Sequence, residues 1–123
     1  MPRLFLTLAA FSGLLAVVLG AFGAHGLKQR LPADLMAVYQ TGVQYHFWHT
    51  LALLGVGILL LQGVQGKLWV ASGWLFAAGI VLFSGSLYVL AISGVRWLGA
   101  ITPIGGVLWL VGWACLALAA WRL

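Results

Sequence analysis

Charged residues are so sparse in this chain that their positions alone divide it. Arg3, Lys28, Arg30, Asp34, Lys67, Arg96 and Arg122 leave charge-free runs at 4–27, 35–66, 68–95 and 97–121, which are 24, 32, 28 and 25 residues long. A helix rises 1.5 Å per residue, so about 20 apolar residues cross the hydrocarbon core of a bilayer. Each run therefore holds one span and none holds two. The pattern predicts an all-α integral membrane protein, a single domain over 1–123, folded as an antiparallel bundle of four transmembrane helices at about 4–24, 33–62, 69–92 and 98–121.

Local signals agree with these ends. Gly23, Gly26, Lys28 and Arg30 close the first helix, Pro32 and Asp34 open the second, and Gly63, Gly66 and Lys67, then Ser93, Gly94 and Arg96, mark the later loops. Trp48, Trp69, Trp97 and Trp121 are expected at span ends, where an indole suits the headgroup layer. The start of the chain imitates a secretory signal and is read here as the first span. The second helix exceeds the roughly 30 Å core in length, and its first half holds Tyr39, Gln40, Gln44, Tyr45, His46 and His49. It is read as long and partly amphipathic, with an interfacial or crevice-lining first half bent at Gly42.

Composition removes the soluble alternative. Apolar residues make up 64% of the 123 and charged residues 6%, against about 25% in soluble domains. Six cations scattered along the chain form no patch for a phosphate backbone, so nucleic acid is not an expected partner; the bilayer is. Orientation is tied: Arg3, Lys67 and Arg122 fall on the side of the termini, and Lys28, Arg30 and Arg96 on the other. Glycine is frequent and regularly spaced. Gly13 and Gly20 continue a four-and-three spacing in the first helix, Gly79 and Ser86 a seven-residue spacing in the third, and Gly105 and Gly112 one in the fourth. Such stripes let backbones approach where only contact packing holds helices together.

Chemistry is scarce. A single carboxylate excludes paired acid–base catalysis, no nucleophile triad or phosphate loop is present, and Cys115 stands alone. No enzyme activity and no cofactor are expected. The histidines remain: His25 closes the first helix, and His46 and His49 lie early in the second, so a hairpin would bring them to one membrane face. Gln44 and Tyr45 stand beside them, and Tyr88 and Thr102 approach from the same side. Three readings stay open for this set: a polar lock between helices, a metal or small-solute site, and haem ligation by His25 and His49. His25 and His49 are expected to face each other.

Whole phrases of the chain are familiar. Leu19-Gly20-Ala21-Phe22-Gly23-Ala24-His25-Gly26-Leu27, Tyr39-Gln40-Thr41-Gly42, His49-Thr50-Leu51-Ala52, Leu82-Phe83-Ser84-Gly85-Ser86-Leu87-Tyr88 and Thr102-Pro103-Ile104-Gly105-Gly106 resemble the membrane-protein family catalogued as domain of unknown function 423, whose eukaryotic relatives are called transmembrane protein 256. The resemblance implies a multi-pass protein of the bacterial inner membrane with four spans and both termini cytoplasmic. It carries over no activity. His25 and His49 match its phrases, whereas His46 stands where glutamine also occurs. Two function classes follow: a non-enzymatic protein that acts by homo-oligomerisation or as an accessory subunit of a membrane complex, and a transporter, channel or metal- or solute-binding protein that uses its histidine-rich face.

Overall fold

The computed structural model describes residues 1–123 and is helical throughout, with four helices long and apolar enough to cross a membrane. They are α1 (Pro2–Leu27), α2 (Ala33–Leu61), α3 (Lys67–Ser93) and α4 (Arg96–Trp121). Two are locally rewound. α1 ends in a π-helical turn over Gly23–Leu27 and α3 carries another over Ile80–Ser84, while α4 begins with a 3-10 turn over Arg96–Ala100. The first π turn carries α1 past its predicted end at Ala24, so His25 belongs to the helix. α2 is continuous through Gly42; there the small residue admits Leu87 and Tyr88 instead of marking a break.

Short connections make sequential helices antiparallel. At the α3–α4 turn the backbone reverses at Gly94, which adopts the left-handed φ of 74° and donates its N–H to Leu90 O at 2.8 Å, a closure that a side chain would strain. On the neighbouring rim Arg96 pairs with Asp34 at 3.0 Å, which ties α4 to α2.

α2 lies against α1 on one side and α3 on the other, and α4 packs along α3. The small residues predicted to pack lie in these contacts. Gly13 faces Thr50 and Gly20 faces Val43 between α1 and α2; Gly79 receives the Trp109 ring, and Gly112 meets Phe76, between α3 and α4. The tightest approach of any glycine to another helix's backbone is at Gly105, where an added methyl would fall 2.8 Å from the Phe83 Cα, inside the π turn of α3. Ser84 in that turn donates to Gly42 O of α2 at 2.8 Å, and Ser86 bonds Thr102 of α4 at 2.6 Å. One rewound turn thus holds three helices. The core it supports contains Phe5, Ala9, Leu53, Val56, Phe76 and Trp109.

Not all helix pairs close. α1 meets α3 near the termini, where Phe5 inserts against Gly73 and packs edge-on to Trp74 at 5.2 Å, and the two then part. Their divergence leaves a lateral groove of about 380 Å³.

Candidate functional site

Depth is the first correction to the sequence reading. His46 and His49 straddle residue 47, the middle of the 29-residue α2, instead of lying near a rim. Independent helices agree: the His49 ring stacks on Trp109, at the centre of α4, with centroids 3.7 Å apart and planes within 5°. Trp48, expected at a span end, shares that central depth. Their polarity is tolerated so deep because each buried polar atom finds a partner; no buried side-chain nitrogen or oxygen is left without one.

The histidines serve different faces. His49 Nδ1–H donates to Tyr45 O at 2.9 Å and Trp113 Nε1–H donates to His49 Nε2 at 3.1 Å, which defines a neutral ring with both nitrogens engaged. Its lone pair is occupied by an indole N–H and offers nothing to a metal or haem iron. Tyr45, Phe76, Trp109 and Trp113 surround it within aromatic contact. Trp109 in turn donates to Phe76 O at 3.1 Å. His49 thus joins α2 to α4 rather than to α1.

His46 points the other way. Its Nε2 lies 2.9 Å from Ser12 Oγ of α1 and its Nδ1 lies 2.8 Å from Tyr88 OH of α3. Ser12 also bonds Thr50, so Thr50, Ser12, His46 and Tyr88 form one hydrogen-bonded chain across three helices. Tyr39, whose ring lies tilted against that of Tyr88, donates separately to Leu19 O.

His25 joins neither set. The pairings Gly20–Val43 and Gly13–Thr50 put residue 14 of α1 level with His49, so His25 stands eleven residues further along, about 17 Å of helix. It is exposed in its π turn and bonds nothing within the chain. The expected contact of His25 with His49 is not made, because both helices run deeper past each other than a rim cluster requires. Thr102 pairs with Ser86, apart from the histidines. Nowhere do three His, Cys, Asp or Glu side chains converge on a point that could hold a metal. Gln44 lies on the outer surface of α2 and makes no hydrogen bond. The residues of these networks that the sequence reading did not single out as site candidates are Ser12, Thr50, Trp109 and Trp113. Ser12, a hydroxyl deep in an apolar run beside the Gly13 stripe, is the one that spacing could have exposed.

Comparison with known proteins gives a consistent ancestry. Residues 19–106 match the family model described as protein of unknown function DUF423. The chain is 50% identical to the UPF0382 membrane protein YwdK of Bacillus subtilis, over 96% of each chain. It is 46% identical to the UPF0382 inner membrane protein YgdD of Escherichia coli K12, over 98% of this chain and 92% of that one. It is 45% identical to the UPF0382 membrane protein SSP2132 of Staphylococcus saprophyticus, over 98% and 99%. No solved structure matches.

Proposed function

We propose, from the premise that this chain belongs to the DUF423 family of multi-pass membrane proteins, that it acts without catalysis, by self-association in the plane of the membrane. The observation that carries this reading is Gln44. Its carboxamide is exposed to lipid and unpaired, three residues from the middle of α2, which is about 4.5 Å along the axis. The adjacent Tyr45 ring touches Trp109, at the centre of α4, which supports the same depth. A polar group without a partner in hydrocarbon costs several kcal/mol, and a glutamine is too short to reach the interface from there.

A carboxamide carries both donors and an acceptor, so two copies related by a two-fold axis satisfy each other reciprocally. Interhelical bonds of this kind contribute about 1–2 kcal/mol each in model helices. Gln40 lies one turn earlier on the same exposed stripe, and Trp48 one turn later with an indole N–H that bonds nothing in the chain. An axial solute path would have to cross the packed rings around His49, which gives the channel alternative less support.

We place the protein in a bacterial inner membrane with both termini cytoplasmic. The name of the Escherichia coli relative supports the first part. The second rests on the family resemblance alone, because Lys28, Arg30 and Arg96 on one rim balance Arg3, Lys67 and Arg122 on the other. Native mass measurement in mild detergent tests the assembly. The wild-type chain is expected as a dimer or higher homo-oligomer and Gln44→Leu as a monomer with unchanged helix content. A monomeric wild type, an oligomer indifferent to Gln44→Leu, or a heteromer in place of the homo-oligomer overturns self-association.

A further inference from the structure

The rim that carries the termini holds cations and no acid side chain; the only side-chain carboxylate, Asp34, is paired with Arg96 on the opposite rim. Two of those cations share one cavity. Lys67 opens α3 and Arg122 follows the end of α4, and with Gln65 and Trp69 they line a space of about 370 Å³ between the two helix ends. Neither cation forms an ion pair, and the terminal carboxylate of Leu123, which also borders the space, is within reach of neither. The backbone adds to this charge. Lys67 stands in the first turn of α3, at the positive end of the helix dipole, where no acidic residue lies and no side chain caps the turn. A cation there is unfavourable until an anion joins it.

Trp69 supplies a second observation, independent of the charges. It is 4% exposed, yet its indole N–H bonds nothing in the chain, unlike those of Trp109 and Trp113. No fully buried side-chain nitrogen lacks a partner, so this N–H opens outward. Its direction follows from Gly66, which also lines the cavity. The ring Cδ1, bonded to Nε1, lies 3.5 Å from where a Gly66 Cβ would stand, so the N–H edge of the indole is turned to that wall. An indole N–H only donates, and so do the ammonium, the guanidinium and the first N–H groups of α3. A group that answers all of them carries negative charge and several acceptor oxygens, as a phosphate does.

The adjoining surface selects the source of that phosphate. A shallow apolar trench of Val70, Ala71 and Trp74 begins at the same Gly66 and Lys67 and follows α3 into the hydrocarbon layer. An acyl chain buries apolar surface there, and a free ion gains nothing from it. We infer that this rim site binds the phosphate headgroup of an anionic phospholipid, with an acyl chain lying in the α3 trench. A zwitterionic lipid is disfavoured, since it brings its own ammonium against Lys67 and Arg122.

Lipid titration of the delipidated chain in mild detergent, read by native mass measurement, tests this. Palmitoyl-oleoyl phosphatidylglycerol should bind tighter by about five-fold or more than phosphatidylcholine with the same acyl chains. Lys67→Ala and Arg122→Ala should each weaken phosphatidylglycerol by about five-fold and leave phosphatidylcholine unchanged. Both residues are exposed, so helix content should persist. The paired change Lys28→Ala with Arg30→Ala removes the same kind of charge from the other rim and should have no effect. Trp69→Phe keeps the ring, loses the N–H and should weaken phosphatidylglycerol by a similar factor of about five. Gln44→Leu should leave lipid binding intact, which separates this inference from self-association. An excess of inorganic phosphate should not displace the lipid. Equal binding of the two lipids, an equal loss in the Lys28 and Arg30 variant, binding indifferent to Lys67→Ala and Arg122→Ala or to Trp69→Phe, or displacement by inorganic phosphate overturns it.

Discussion

Replacing Gly105 by alanine adds one methyl group where, among the glycines, a neighbouring helix's backbone comes closest. The new carbon would sit 2.8 Å from the Phe83 Cα and also press on the Phe83 N, whereas carbon atoms pack at about 3.5–4.0 Å. Relief requires α3 and α4 to separate locally by about 1 Å, since backbone inside a helix cannot rotate away. Overpacking of this kind costs about 1–3 kcal/mol, and alanine's better helix propensity returns about 1 kcal/mol, for a net loss of up to about 2 kcal/mol. Gly55→Ala is the matched control: its methyl meets nothing within 4 Å, so only the propensity gain of up to about 1 kcal/mol remains. The same chemical change should therefore have opposite signs at two sites. Unfolding in mixed SDS micelles, followed by tryptophan fluorescence and helix circular dichroism, measures both. A Gly105→Ala variant as stable as Gly55→Ala, or more so, would refute the packing argument.

Other substitutions probe the polar contacts by the same assay. His49→Ala should cost about 2–3 kcal/mol, because it strands the Trp113 N–H and removes the ring stacked on Trp109, while His49→Phe should recover part of that loss. Ser84→Ala should cost about 1 kcal/mol through its single bond to Gly42 O, read as a lowered unfolding free energy with unchanged helix content. His25→Ala should leave stability within about 0.5 kcal/mol, and the double change with His49→Ala should be additive, since the two residues share no partner. Asp34→Asn should leave stability almost unchanged, with any difference from wild type shrinking further as salt is raised, because its pair with Arg96 is exposed.

The spans were legible because charge is excluded from hydrocarbon, and seven charges suffice to punctuate four helices. The packing glycines were legible for a related reason: close contact in lipid demands small residues at a helical spacing, and Gly13, Gly20, Gly79 and Gly112 all meet a neighbouring helix. The depth of the histidines was not. Polarity from Tyr39 to His49 reads as an interface so long as partners are unknown, and what permits burial is a set of acceptors and rings on other helices. Trp109 and Trp113 are the decisive ones, yet their aim toward His49 depends on the rotation of α4, which Gly105 and Gly112 fix by contact rather than by any local signal. The two π turns were equally silent, although the first lies within the phrase from Leu19 to Leu27 and the second overlaps the phrase from Leu82 to Tyr88, two of those on which the family resemblance rests. A helix with one residue added to a turn has an ordinary sequence; it is recognised only by the neighbours it re-aims, here Ser84 toward Gly42 and Phe83 toward Gly105.

The most direct test of assembly through the outer face of α2 is cysteine crosslinking in native membranes. With Cys115→Ala as background, a single cysteine replaces Leu51, which lies seven residues from Gln44 on the same exposed stripe. A matching cysteine replaces Leu110, exposed near the middle of α4. Mild oxidation should produce a disulfide dimer at position 51, little at position 110, and a loss of the first when Gln44→Leu is added. Equal crosslinking at both positions, or a dimer at 51 that persists without Gln44, would contradict the account.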